Sequence, residues 1–159
     1  MVFSRREMKK GYTLIELILV VSVFLLITTL GIARFNEFNE RQVVAQSADT
    51  FISNLRLIQA KALSGDKPDG CTTLTGYTVE FAFTNYTMYA QCDPEGIIDT
   101  TRVAVNLPAN VNLNPPSGTV TYYSGGKGIS SDQQVQIVGR SVTIPVVFAA
   151  GSITKLTPL

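Results

Sequence analysis

The chain has 159 residues, 45% of them hydrophobic and 16% charged, with a net charge of +1, two cysteines and no histidine. That length gives room for one modest domain beside a long helix, and the near-neutral balance argues against a protein held to nucleic acid by phosphate neutralisation. Without histidine the commonest general base and the commonest nitrogen ligand for metals are both missing.

The first ten residues hold four basic side chains, Arg5, Arg6, Lys9 and Lys10, and Gly11 follows. Then comes an apolar run. Leu17 to Ala33 are seventeen residues without a charge, and counting back through Glu16 to Tyr12 gives twenty-two. At about 1.5 Å per residue a helix of that length crosses a bilayer. The basic flank predicts a single-pass protein of the cytoplasmic (inner) membrane, with its amino terminus in the cytoplasm and the bulk of the chain outside. One ionisable group, Glu16, lies inside the apolar run, where a carboxylate costs on the order of 2.5 kcal/mol or more unless something pairs with it. A secretory signal would carry its small-residue cleavage site after the apolar core, and none follows Leu30. Any processing signal must therefore precede the run.

Basic leader, Gly11, Tyr12-Thr13-Leu14-Ile15-Glu16-Leu17 and a long apolar helix, in that order, resemble the precursors of the type IV pilin and pseudopilin family. The resemblance covers roughly the first fifth of the chain. It implies that residues 1–11 are a prepilin leader, with Lys9 and Lys10 as its last charges, and that a prepilin peptidase cuts after Gly11 and methylates the new amino terminus at Tyr12. In the family that position usually carries Phe or Met, so Tyr12 is a departure. It further implies that residues 12–33 persist as the transmembrane or filament-core helix. There Thr13, Leu14, Ile15, Glu16 and Leu17 serve assembly, and the glutamate pairs with the terminal amine of a neighbouring subunit. The partners implied are other pilin or pseudopilin subunits, the peptidase and the inner membrane, in a pilus or a type II secretion-type filament. An amine at Tyr12 would lie one helical turn from Glu16. A plain single-pass anchor with Glu16 reaching for the interface is the competing reading; it leaves the ordered glycine, leader and glutamate unexplained.

Past Ala33 polarity rises, yet no proline or paired glycine interrupts the chain before Ser64-Gly65, so the helix should continue over residues 34–64. Its pattern becomes one-sided: Val44, Ala48, Phe51, Leu55, Ile58 and Ala62 recur at steps of four and three, leaving Gln46, Asp49, Asn54, Arg56 and Lys61 for other faces. Gly31 is the weak point, at a cost of about 1 kcal/mol relative to Ala, and bending is expected there.

Ser64 to Gly70 is dense in breakers and marks a change of architecture. Residues 65–159 then read as a β-rich head. Tyr77 to Phe83 alternates, Tyr86 to Cys92 repeats the habit, and the two predict a hairpin. Asp93-Pro94-Glu95-Gly96 is a turn, Arg102 to Leu107 a strand, and Pro108, Pro115 and Pro116 punctuate a loop or edge. Further strands are expected at Thr119 to Tyr123, Val135 to Val138, Val142 to Phe148 and Ile153 to Leu156, with a flexible Ser124 to Gly128 and a tight turn at Gly139-Arg140. The fold class is thus α+β: a long helix packed on an antiparallel sheet, or two small ones, as in pilin heads. The layout looks most like the minor pilins and minor pseudopilins of the family. Cys71 and Cys92 both lie in the part expected outside the cytoplasm, which favours a disulfide over two free thiols or half a metal site.

No constellation in the head predicts an enzyme or a cofactor. Ser124 to Gly128 lacks the spacing of a phosphate loop and reads as a surface hairpin loop. Asp93, Glu95 and Asp99 could hold calcium, as some pseudopilin heads do, although a solvated acidic turn fits their spacing better and no metal is expected. Some minor pilins bind DNA through basic residues near the carboxyl end. Here only Lys127, Arg140 and Lys155 stand in that region, and residues 65–159 hold five basic and seven acidic side chains, so nucleic acid is not the expected partner. Tyr122-Tyr123 could stack on bases but reads first as core. A head that binds DNA or another ligand remains the alternative function to a structural subunit.

Overall fold

The computed structural model describes residues 12–149 and 152–158, with residues 29–34 described in backbone alone. It is an α+β structure. One long helix, α1 (Leu14–Ser64), precedes strands β1 (Thr73–Ala82), β2 (Asn85–Asp93), β3 (Gly96–Asn106), β4 (Asn112–Asn114) and β5 (Ser117–Tyr123). A short 3-10 turn (Ser124–Gly126) leads to β6 (Gln133–Val138), β7 (Thr143–Ala149) and β8 (Ser152–Lys155). The chain divides into two compact units, one ending at Phe38 and one beginning at Asn39, so that α1 contributes residues to both.

Helix α1 stays helical through Gly31 and ends where the breakers begin. Its last turn closes as a Schellman cap: Asp66 N–H donates to the Lys61 carbonyl at 3.0 Å and Gly65 N–H to the Ala62 carbonyl at 3.3 Å. Gly65 takes φ +67°, the left-handed conformation such a cap requires and which only glycine adopts without strain.

In the second unit the strands form two four-stranded antiparallel sheets, ordered β3-β2-β1-β5 and β4-β6-β7-β8. The predicted apolar stripe is the spine of the core: Val44, Ala48, Phe51, Leu55, Ile58 and Ala62 are all buried and cluster with side chains of both sheets. Phe51 is the junction. Its ring meets Tyr86 of β2 edge-on at 4.8 Å between centroids and Phe148 of β7 at 6.0 Å, so one side chain of the helix touches each sheet. Asn54, predicted for another face, turns its amide to the Tyr86 hydroxyl at 2.7 Å and satisfies the polar end of a buried ring. Cys71 and Cys92 form a disulfide across 5.6 Å between α-carbons. It ties the segment after the helix to the end of β2.

Three expectations need correction. The strand expected over Arg102–Leu107 is longer and ends earlier, at Gly96–Asn106, because β2 offers a pairing partner along its whole length. Between Ala90↔Ile98 and Met88↔Val103 the register jumps, and residues 99–102 bulge outward. Thr101 fills the gap in the ladder: its hydroxyl accepts from Ala90 N–H at 2.8 Å and donates to the Ile98 carbonyl at 2.7 Å. The turn expected at Gly139-Arg140 is the four-residue connection 139–142, closed by Gly139 N–H donating to the Val142 carbonyl at 2.8 Å. Ser124 to Gly128, expected as a flexible surface hairpin loop, is closed as a hairpin by Tyr123 N–H donating to the Gly128 carbonyl at 3.0 Å, but it opens with the 3-10 turn Ser124–Gly126, held by the Ser124 hydroxyl donating to the Leu74 carbonyl at 2.7 Å.

Candidate assembly surface

The residues assigned to assembly come together on the first turn of α1. Thr13 caps it: its hydroxyl accepts from Glu16 N–H at 3.3 Å and its carbonyl from Leu17 N–H at 3.2 Å. Thr13-Leu14-Ile15-Glu16 is therefore also a cap sequence of the S/T-x-x-E type, a local signal that marks the helix start as well. Glu16 sits in the first turn, where the partial positive charge of the helix end favours a carboxylate. Its side chain is exposed, and among the described residues no cation stands against it. Tyr12 is also exposed, while Gly11, Lys9 and Lys10 lie outside the described residues.

Beyond this cap the helix is apolar on every side. Twelve large apolar side chains between Leu14 and Ile27 are exposed, from Leu14 at 77% to Val23 at 46%. A one-sided helix could bury its stripe on its own domain, whereas one that is apolar all round needs apolar surroundings on all sides. Covering these side chains would release on the order of 10 kcal/mol or more, comparable to the stability of a whole small domain. The polar residues within the run are compatible with such cover. Ser22 donates its hydroxyl to the Leu19 carbonyl and Thr28 to the Phe24 carbonyl, both at 2.8 Å, so neither presents an unpaired hydroxyl. Among the described residues no helix is long and apolar enough to cross a membrane, and residues 29–34 of the run are described in backbone only.

The other candidates are dispersed over the head. Glu95 accepts from both the backbone N–H and the hydroxyl of Thr72, a bond that draws its carboxyl below the usual range, and Asp99 pairs with Arg102 at 3.3 Å. Asp93, Glu95 and Asp99 therefore do not converge on a common point, and among the described residues no three potential ligands could hold a metal. Lys155 is bonded to Asp49 at 2.6 Å and the Arg140 guanidinium to the Asn110 side chain at 2.9 Å, which leaves Lys127 exposed between Gly126 and Gly128. Tyr122 is core, 3% exposed, and its hydroxyl is the buried side-chain polar atom among the described residues that lacks a hydrogen-bond partner. Burial pushes its ionisation up to about 12. Tyr122 lines a cleft of about 280 Å³ with Leu63, Tyr123, Ile129, Gly126 and Gly128.

Comparison of the chain with models of known protein families, with characterised proteins and with solved structures finds no match.

Proposed function

We propose that the chain is a structural subunit, a pilin or pseudopilin of a type IV pilus or a type II secretion-type filament. In this reading it is cleaved after Gly11 and assembles through the apolar half of α1. The observation that carries the reading is the helical run from Leu14 to Ile27, exposed on every side and opened by a capped first turn that contains a carboxylate. Lipid covers such a run before assembly, and the same runs of neighbouring subunits cover it afterwards.

Cleavage after Gly11 would leave an ammonium group at Tyr12, directly ahead of the Thr13 cap. A positive charge at that end opposes the helix dipole, and in apolar surroundings it would be expensive. Glu16 of an adjacent subunit offsets both costs, so charge pairing favours association between helices over the isolated subunit in lipid. The expected outcome is that Glu16→Ala is inserted and processed normally but recovered in filaments at a small fraction of the wild-type amount. Filaments of that variant at wild-type yield would show that the carboxylate plays no part in assembly.

A further inference from the structure

We infer that Phe35 and Phe38 form a footing at the membrane surface, with their rings set in the layer between acyl chains and water at the carboxyl-terminal end of the apolar run. The inference rests on the proposed reading of that run as a membrane span, and adds where the span stops and what fixes its depth.

Both rings are exposed, Phe35 at 68% and Phe38 at 60%. Their spacing fixes the side of α1 that they occupy. Gln42 follows Phe35 by seven residues and Phe38 by four, and further steps of seven and four lead to Asp49 and Ser53, all three of them exposed. The pair therefore continues the solvent-facing side of the helix, not the side of Val44, Ala48, Phe51 and Leu55, which packs into the core. Cover for rings on that side comes from outside the chain.

Length identifies the cover. From Tyr12 to Ala33 there are twenty-two residues, a helix of about 33 Å against about 30 Å for the hydrocarbon core of a bilayer. The interfacial layer adds about 5–7 Å on each side. Along the helix Phe35 and Phe38 stand about 3 Å and about 7 Å beyond Ala33, and helical side chains lean toward the amino terminus, so both rings reach into that layer. The composition changes there as an interface requires: Asn36, Glu37 and Asn39 alternate with the two rings. Tyr12 is exposed at the opposite end of the run, so aromatic rings stand at both boundaries. Movement along the membrane normal is opposed in both directions. Sliding inward would carry Asn36 and Glu37 into hydrocarbon, and sliding outward would lift the rings into water.

The chain has no tryptophan, so single substitutions report depth one site at a time. The full-length protein with Phe38→Trp is reconstituted at high dilution into phosphatidylcholine vesicles whose acyl chains are brominated either near the headgroup or near the methyl end. Quenching by the shallow bromines should be about twofold the stronger. Phe24→Trp, twelve residues beyond Tyr12, should show the reverse order, and Phe83→Trp at the β1–β2 turn should respond to neither lipid. A Phe24→Trp protein quenched as expected beside a Phe38→Trp protein untouched by both lipids, or quenched more by the deep bromines, would overturn the footing and leave the span standing. No quenching of Phe24→Trp would remove the span itself and the footing with it. Quenching of Phe83→Trp equal to that of Phe38→Trp would mean adsorption of the head to the vesicle and would also overturn the inference. The depth-fixing role has its own readout: Phe35→Ser with Phe38→Ser, added to Phe24→Trp, should lower the ratio of deep to shallow quenching about twofold as the span slides, and an unchanged ratio would contradict that role.

Discussion

Tyr122 and Tyr86 are both buried tyrosines with opposite polar fates. The Tyr86 hydroxyl receives the Asn54 amide, while that of Tyr122 has no partner, so Tyr122→Phe should leave stability unchanged or raise it by about 1 kcal/mol. The pH dependence follows from the same burial. Below pH 10 Tyr122 is protonated in folded and unfolded chains alike and contributes no slope. Above pH 10 the unfolded chain releases the proton while the folded one retains it to about pH 12, so stability falls as pH rises through that window. Burial raises Tyr77, Tyr86 and Tyr89 in the same direction, so Tyr122→Phe should make the alkaline fall in melting temperature shallower without removing it. An identical slope in the variant would show that Tyr122 does not contribute. Glu40 acts on a different principle. Its carboxylate accepts from the N–H groups of Arg140 and Ser141, anchoring the connection 139–142 against α1, where Gly139 leaves room for Val44: a β-carbon there would stand 2.6 Å from the Val44 side chain. Glu40→Ala leaves two backbone donors without their acceptor and should cost about 1–3 kcal/mol in chemical denaturation. A loss below the error of the measurement would mean that water replaces it.

The Cys71–Cys92 disulfide closes a separation of 21 residues, and in the chain-entropy model such a closure contributes about 3 kcal/mol. Replacing both cysteines by alanine should lower the unfolding free energy by about that amount, and an unchanged denaturation midpoint would show that native contacts alone hold the segment before β1 to the end of β2. Elements differ in how far they could be read from the sequence, and the difference is one of range. The stripe from Val44 to Ala62 was legible because periodicity is a local property, and the β1–β2 hairpin because its strands are adjacent in the chain. The division of the strands into two sheets was not, since β5 joins β1 across three intervening strands and β4 joins β6 in the other sheet. The start of β3 was hidden because Gly96 to Asp99 does not alternate, and it is pairing with β2 that makes it a strand. The Glu40 anchor spans a hundred residues and leaves no local trace. The Thr13 cap is legible in the sequence but coincides with the residues that resemble a processing motif, so one stretch carries two signals. The bulge at 99–102 has a use of its own: it breaks the flat outer edge of β3, which would otherwise offer a long unpaired template for aggregation.

For the molecule as a whole, the two compact units are opposites in surface character. The unit beginning at Asn39 buries its apolar side chains between one helix face and two sheets, while the described part of the unit ending at Phe38 exposes nearly all of its own. A chain so divided gains most by having its first unit covered by apolar surroundings, which in the proposed function are the membrane and then a filament core. The proposed function requires that a new amino terminus be made at Tyr12, ahead of the Thr13 cap. The direct measurement is the amino-terminal sequence and intact mass of the protein recovered from cells, with Gly11→Val as the processing-blocked control. A chain beginning at Tyr12 is expected for the natural protein and one still beginning at Met1 for the variant. A natural protein that keeps Met1 through Gly11 would rule out the proposed cleavage.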